Sequence, residues 1–496
     1  MDEKAISFGT SGHRGILGKS ITIKHVDAIA QAVADFVLEH NTKPRVAIGY
    51  DPREGNSPSL AAKSYTKTLV DRLTSRGVRV DLFDTYTPTP VVSWYIQHYK
   101  IDGGLILTAS HNPPQYNGIK FNPSNGAPAP GDVTQWLEER ANFVYQQGMP
   151  EAQFDAELLN RVDTVNEFAA DMVEKLMKNC GVTEIPNFSD LAIAVDAKHG
   201  AVAGTWRAIF SKLGITNYEI IHAEPASDFG GIEPNPTKFE TLRNLIKVQQ
   251  KMDGVMSIAN DPDGDRHVIL DETGILITPE EVAVILYDFL VTRKIPVLGV
   301  ATTVASSQLV KSAVTQNGGK FHETAVGFKY FASYLENGRF ENKIALAVES
   351  SGGFSASFHT LEKCGFFPAV FLMLVLKLTG KTLSELRADI EAKYGKYYFA
   401  EEEYQFDPAR KPQLVSIFRD LTVDKVPAFD IPVADINKMD GVKISFEGGD
   451  WVLMRLSGTE PLARIYAESK SIEASQKLIE FAKQLLSQSR VYAPRI

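Results

Sequence analysis

The chain has 496 residues, of which 44% are hydrophobic and 23% charged, and carries a formal net charge of -9. That length exceeds what one hydrophobic core supports, so several domains are expected. The negative balance excludes the broad basic face of a duplex-binding protein, and any anion site must gather its cations locally.

Taken in chain order, Met1-Asp2-Glu3-Lys4 lacks the apolar stretch of a signal peptide. Residues 45–50 read as a strand, 59–73 as a helix, and 78–83 and 104–108 as strands. The alternation returns with 191–195, 205–213 and 218–221. It returns a third time with 279–290, 297–302 and 307–314. Strands alternating with helical patterns through three rounds predict α/β layers. The longest apolar run, 366–376, contains Pro368 and ends at Lys377, so it reads as a buried core helix, too short for a bilayer. Residues 382–391 read as a helix. Residues 442–446 and 451–455 read as strands around Glu447-Gly448-Gly449-Asp450, followed by a strand at 465–468 and an amphipathic helix at 472–488. That last part predicts an α+β domain. Four domains follow, at 1–165, 166–277, 278–388 and 389–496. Cys180 and Cys364 make no disulfide framework, which fits a reducing compartment. A cytoplasmic protein is expected, without a membrane or nucleic-acid partner.

Three loops carry chemistry. In Leu105-Ile106-Leu107-Thr108-Ala109-Ser110-His111-Asn112-Pro113-Pro114, an apolar strand ends in a polar turn. Ligands of open α/β sheets sit beyond such carboxyl ends. Ser110 stands where a reacting group belongs, with His111 and Lys120 able to activate it. Taken alone, the segment also fits an ordinary Ser/Asn/Pro turn. It is not a hydrolase elbow, because Ala109 and His111 flank the serine.

Asn260-Asp261-Pro262-Asp263-Gly264-Asp265-Arg266 sets three carboxylates at alternate positions between apolar runs. Their repulsion is relieved by a divalent cation, and hard oxygen ligands favour magnesium or calcium. An EF-hand would need glycine at its sixth position, where Arg266 stands; a solvated acidic turn is the other reading. Arg266 beside a metal suggests a phosphate neighbour. Near the end, Arg455-Leu456-Ser457-Gly458-Thr459-Glu460-Pro461 leads to Arg464. Its backbone N–H groups and hydroxyls suit an anion nest flanked by two guanidiniums, against the plainer reading of a turn between strands.

The three loops in this order resemble the α-D-phosphohexomutase superfamily over essentially the whole chain. The resemblance implies three related α/β domains with mixed sheets, a C-terminal α+β domain and an active-site cleft at the centre. It implies a phosphoserine at Ser110, and one Mg2+ per chain held by Ser110, Asp261, Asp263 and Asp265. Arg455, Ser457, Gly458, Thr459 and Arg464 would grip the substrate phosphate. The family's sugar loop, Gly-Glu-x-Ser-Gly, is matched here by Val348-Glu349-Ser350-Ser351-Gly352, which makes Glu349 and Ser351 the sugar readers. Phe8-Gly9-Thr10-Ser11-Gly12-His13-Arg14-Gly15 and Thr324-Ala325-Val326-Gly327-Phe328-Lys329-Tyr330 look like the bacterial phosphoglucomutase branch. They would set Arg14 toward the phosphoryl group and Lys329 toward the sugar. Gly49-Tyr50-Asp51-Pro52-Arg53 and Thr87-Pro88-Thr89-Pro90 are read mainly as structural turns, with Arg53 near the active centre. Three positions depart from the family pattern: Val348 for glycine, Cys364 for the aspartate of Lys-Asp-Gly, and Leu456 for proline. The implied reaction interconverts glucose 1-phosphate and glucose 6-phosphate, with glucose 1,6-bisphosphate as activator and intermediate, on a monomer or homodimer. Phosphomannomutase is the alternative, and a non-catalytic sugar-phosphate-binding protein a remote one.

Overall fold

The apolar run at 45–50 becomes the strand Arg45–Tyr50, buried from Val46 onward. It is central because apolar side chains on both faces must be covered by helices. The structure, a computed structural model, describes residues 5–9, 11–457 and 460–487. The chain divides into two compact units, Met1–Leu298 with Gly327–Arg387, and Gly299–Val326 with Ala388–Ile496.

The first unit contains a seven-stranded mixed sheet in the order Phe8–Gly9, Gly12–Ile16, Tyr116–Pro123, Gly103–Leu107, Arg45–Tyr50, Arg79–Phe83, Leu159–Val162. The last four are parallel to one another, while Tyr116–Pro123 runs antiparallel to Gly103–Leu107. Gly49 and Gly104 lie on neighbouring strands under the helix Thr89–Tyr99. A Cβ there would fall 2.3 Å from Val92 Cγ2 or 2.8 Å from Ile96 Cδ1. Their bareness lets that helix sit close on the sheet, which fixes where its first residue, Thr89, ends up.

A second mixed sheet runs Leu276–Ile277, His267–Leu270, Met256–Asn260, Ala192–Asp196, Asn217–Ile221, the last three strands parallel. Trp206, fully buried, donates its indole N–H to Asn260 Oδ1 at 2.7 Å and so anchors the end of Met256–Asn260. The same unit holds the antiparallel hairpin Ile344–Val348 and Phe354–Ala356. Helix Pro279–Thr292 starts where the sequence says it should. Thr278 and Glu281 form a reciprocal capping box, and Pro279 occupies a first-turn position. The apolar run at 366–376 forms Phe367–Thr379, buried through Leu376 and stopped by Gly380 in the left-handed region. No single helix among the described residues is long and apolar enough to cross a membrane.

One expectation fails. The helix predicted over 59–73 forms only at Tyr65–Ser75. Residues 59–64 are irregular, with Leu60 and Lys63 at φ of 55° and 64°, and Ser64 caps the helix by accepting from the Lys67 N–H. Helical spacing of apolar residues persists into a turn whose backbone cannot continue a right-handed helix.

The second unit holds the parallel pair Val297–Thr303 and Lys320–Thr324 with the helix Gln308–Gln316. It also holds an antiparallel sheet in the order Tyr398–Gln405, Leu462–Ser469, Trp451–Leu456, Val442–Phe446, Val433–Asn437. Trp451, Leu453 and Tyr466 pack on Val304 and Ala305. Lys443, nearly buried, pairs with Glu323 at 2.9 Å and lies 4.4 Å over the Trp451 ring. Burying a cation this way requires both partners.

His359 tests how tightly the first unit is packed. It stacks on Phe367 at 4.6 Å and 13°, with Phe168 5.8 Å away, and its Nε2 has no hydrogen-bond partner. Burial pushes its pKa down to about 3. The unfolded chain therefore binds a proton below about pH 6.5 that the folded chain refuses, and stability falls as pH falls through that window. From pH 7 to pH 5 this one group withdraws about 2 kcal/mol. Urea unfolding of His359→Leu at both pH values is expected to show an acid-side loss smaller by about that amount.

Candidate active site

Three strand ends deliver three loops. Leu107 ends the parallel strand Gly103–Leu107 of the first sheet and leads into Thr108–Ser110. Asn260 ends a parallel strand of the second and leads into the aspartates, and Val348 leads into Glu349.

Ser110 is fully buried, with φ of 53°, a left-handed conformation that a non-glycine residue adopts only where its surroundings hold it. Its N–H donates to Thr108 Oγ1 at 2.8 Å, and its hydroxyl donates to Asp261 Oδ2 at 2.6 Å. The serine and acidic loops therefore meet at the Ser110 oxygen. His111 Nδ1 lies 3.3 Å from the same oxygen. Burial, then the positive charges of Arg266 and Arg14, hold that imidazole down to about 2, so the ring is neutral.

The three aspartates are wholly buried, and one carboxylate oxygen from each lies within 4.8 Å of the others. Asp263 Oδ2 accepts from Lys120 Nζ at 2.6 Å and from Thr89 Oγ1 at 2.7 Å, and the Asp263 carbonyl accepts from Thr89 N–H. Asp265 Oδ2 accepts from Lys120 Nζ at 2.7 Å and pairs with Lys363 Nζ at 3.1 Å. Asp261 Oδ1 accepts from the Arg266 backbone N–H at 3.0 Å. Burial and the two neighbouring carboxylates push Asp261 well above the ordinary carboxylate range. Burial acts the same way on Asp265, but Lys120, Lys363 and Arg266 outweigh it and leave Asp265 well below that range. Lys120 is likewise opposed by burial yet raised by Asp263 and Asp265, so it stays protonated.

Two buried oxygens, Asp263 Oδ1 and Asp265 Oδ1, have no hydrogen-bond partner. Buried carboxylate oxygens left bare carry a large desolvation cost, and a hard divalent cation relieves it. The donor set fits such an ion. Arg266 adds an unpaired donor beside the triad: its Nε is buried without a hydrogen bond, 3.8 Å from Asp265 Oδ1. Arg14 donates Nη1–H to Asn112 Oδ1 at 2.8 Å. Burial, then the like charge of Arg266, lowers its pKa. Two guanidiniums crowded together invite an anion.

Glu349 is buried beside this cluster, and burial raises its pKa while Lys363 and Arg266 oppose the rise. Its loop is stitched to the acidic loop by an antiparallel bridge between Arg266 and Gly353 and by the His267 N–H donating to the Gly352 carbonyl at 3.0 Å. Gly352 at φ of 93° allows this approach, since a Cβ would fall 2.4 Å from the His267 carbonyl. Ser351 is half-buried in the same turn. Lys329 holds its ammonium 5.4 Å over the Tyr330 ring. Two of the three departures from the family pattern have local explanations. Val348 is wholly buried at the end of its strand, paired with Phe354. Cys364 donates its N–H to the Phe354 carbonyl, and its sulfur accepts from the N–H groups of Phe367 and Phe366, with burial pushing the thiol up to about 12.

In the second unit, Arg455 and Arg464 are cross-strand partners. Like charges placed directly opposite are unfavourable without an anion between them. Arg455 pairs with Asp440 at 2.8 Å, its Nε has no partner, and Arg464 lies 3.8 Å from Glu403. Ser457 donates its N–H to the Leu462 carbonyl, and its own carbonyl accepts from Lys411 at 3.0 Å. Gly458 and Thr459 lie outside the described residues.

Sequence reasoning missed Thr89, read as a turn residue, and the charged roles of Glu362 and Lys363. Glu362 is buried and accepts from Asn122 Nδ2 at 3.2 Å. The only signal was a charged pair within an apolar stretch, Leu361-Glu362-Lys363-Cys364.

Comparison with known proteins places this geometry. Family models described as phosphoglucomutase/phosphomannomutase, alpha/beta/alpha domains I, II and III, match residues 5–147, 166–274 and 278–394, and the C-terminal domain model matches 419–484. A phosphoglucomutase of Komagataeibacter xylinus is 28% identical over 97% of this chain and 90% of its own. A phosphoglucomutase/phosphomannomutase of Thermococcus kodakarensis is 28% identical over 97% and 98%. A solved chain from Thermus thermophilus, described as a phosphomannomutase, aligns with a TM-score of 0.81 at 25% identity, covering 98% of this chain and 100% of its own. With four domain models matching in order over most of its length, the chain belongs to the phosphoglucomutase/phosphomannomutase family of enzymes.

Proposed function

We propose that this enzyme is a phosphoglucomutase that interconverts glucose 1-phosphate and glucose 6-phosphate through a phosphoserine at Ser110. The observation that carries the reading is the Ser110 hydroxyl, buried and donating to Asp261 at 2.6 Å, at the meeting point of the acidic triad and two guanidiniums. Simple binding needs no such nucleophile. The substrate class is supported by relatives named phosphoglucomutase, including those of Komagataeibacter xylinus and Rhizobium radiobacter.

In the proposed cycle the bond between phosphorus and Ser110 Oγ breaks as a bond forms from phosphorus to a sugar hydroxyl oxygen. That hydroxyl's proton ends on the Ser110 oxygen released from phosphorus, and glucose 1,6-bisphosphate results. After the sugar turns over, its other phosphate returns to Ser110. Asp261, Asp263 and Asp265, with the phosphoserine, would hold one Mg2+, which supplies positive charge against the transferring oxygens. Arg14, Arg266 and Lys120 supply the rest. Lys120 adds positive charge beside the aspartates, and His111, 3.3 Å from the serine oxygen, orients it; these two are the groups placed to move the hydroxyl proton. Glu349 accepts from adjacent sugar hydroxyls, Ser351 and Lys329 complete the sugar subsite, and Arg455, Ser457, Gly458, Thr459 and Arg464 hold the phosphate that is not reacting. The serine, metal, sugar and phosphate loops belong to domains at 1–165, 166–277, 278–388 and 389–496.

A sugar that must bind both ways round is best read at C3 and C4. Mannose 1-phosphate, altered only at C2, is therefore expected to turn over at a reduced rate, while galactose 1-phosphate is rejected. Equal efficiency with the galactose compound would remove Glu349 from its role. A preference for mannose 1-phosphate would favour the phosphomannomutase reading that the Thermococcus kodakarensis relative's double name raises.

With Mg2+ and a trace of glucose 1,6-bisphosphate, the protein is expected to convert glucose 1-phosphate, and Ser110→Ala to lose about 1,000-fold or more. An alanine variant as active as wild type would refute the phosphoserine cycle. Mg2+ at 100 times its Kd is expected to stabilise the wild-type protein by about 2.7 kcal/mol in thermal melts. Asp263→Asn is expected to lose most of that shift, and a full shift in the variant would move the ion elsewhere.

A further inference from the structure

The turn at 51–56 holds more of the site than its sequence suggests. Arg53 is completely buried, and a guanidinium has five N–H donors to satisfy. All five are used. Nε donates to Asp51 Oδ2 at 3.1 Å. Nη1 donates to the carbonyls of Pro113 at 2.9 Å and Tyr116 at 2.8 Å. Nη2 donates to the carbonyls of Ser110 and Asn112, both at 2.6 Å. Four of the five acceptors are thus backbone oxygens of the loop that begins at Ser110 and runs into the next strand. One rigid planar cation ties that loop at four points.

Asp51 closes the arrangement from the other side. Its Oδ2 also accepts from Thr108 Oγ1 at 2.6 Å, and Thr108 Oγ1 accepts from the Ser110 N–H at 2.8 Å. Ser110 is therefore held at its nitrogen through Thr108 and at its carbonyl by Arg53. Those are the two groups flanking the φ of 53° that a serine otherwise avoids.

A second observation connects this clamp to the acidic loop's domain. Phe229 opens the short turn Phe229–Gly231, which follows the strand Asn217–Ile221 of the second sheet, and its ring lies 4.8 Å from the Arg53 guanidinium carbon. Phe229 is itself fully buried with φ of 54°, and Asp228 caps its turn by accepting from the Gly230 N–H. The domain that bears the aspartates thereby covers the cation that shapes the serine loop.

We infer that Arg53 is a positioning residue that holds Ser110 in the left-handed geometry used for phosphoryl transfer, and that Phe229 fixes Arg53 from the metal-bearing domain. The inference rests on Ser110 carrying the phosphoryl group. Lysine cannot replace Arg53, because a single ammonium has three donors and no planar fork. The effect belongs to the transfer step: no atom of Arg53 bonds to a group proposed to touch the sugar, so substrate affinity is left alone.

The test loads wild type, Arg53→Lys and Phe229→Leu with glucose 1,6-bisphosphate. It measures phosphate on Ser110 by intact mass, then follows single-turnover transfer to glucose 1-phosphate alongside steady-state kcat and KM and a thermal melt. Displacing a nucleophile by about 1 Å costs about 100-fold, so Arg53→Lys is expected to lose about that in transfer rate and kcat, with KM within about threefold. Phe229→Leu, which keeps every hydrogen bond, is expected to fold and lose about tenfold in the same step. Transfer rates of Phe229→Leu and any folded Arg53→Lys within about threefold of wild type would overturn the inference. So would a loss that appears in KM with the transfer rate unchanged. Wild-type protein that takes no phosphoryl group on Ser110 would bring down the mutase reading and this inference together. Normal loading of wild type with unaffected variants would bring down this inference alone.

Discussion

Three buried carboxylates at alternate positions repel one another, and much of the first unit is arranged to balance them. Lys120 comes from an antiparallel strand of the first sheet, Lys363 from beyond the Phe354–Ala356 hairpin, and Arg266 from the acidic loop itself. Removing one partner of such a group leaves a buried charge uncompensated, which is far more costly than never having had the pair. The cations split the triad unequally, with Asp265 held ionised and Asp261 pushed toward its neutral form. A divalent ion and a doubly charged phosphoserine could enter such a site together with little change in its net charge.

The parts of this site that were legible in the sequence are those whose residues are contiguous. Asp261, Asp263 and Asp265 announce a cation because their spacing forces them together whatever the fold. Ser110 is visible because a buried strand ends just before it. Thr89, Lys363, Glu362 and Asn122 were not legible, because only tertiary packing brings them in. Thr89 reaches Asp263 because two bare glycines let its helix lie close on the sheet. Arg53 read as part of a structural turn near the active centre, but nothing local says that its guanidinium ties down the serine loop. The over-long helix at 59–73 shows the opposite error, an apolar period persisting where the backbone has already turned.

The replacements at Val348 and Cys364 illustrate how such a site tolerates change. Valine takes a glycine position by turning its side chain into the core at a strand end. Cysteine takes an aspartate position by accepting the same kind of backbone N–H bonds at the start of a helix that a carboxylate would, without adding another buried charge near Asp265. Val348 directly precedes Glu349 and Cys364 directly follows Lys363, so both replacements sit in the backbone that carries these two buried charges.

The facing pair Arg455 and Arg464 has a consequence for linkage. Each guanidinium already faces a carboxylate, Arg455 toward Asp440 at 2.8 Å and Arg464 toward Glu403 at 3.8 Å, so an anion bound between them competes with those carboxylates. Affinity for a phosphate monoester at this pair should then fall with ionic strength as chloride or sulfate competes for the same guanidiniums. It should also rise as pH increases through about 6, where a phosphate monoester takes on its second charge.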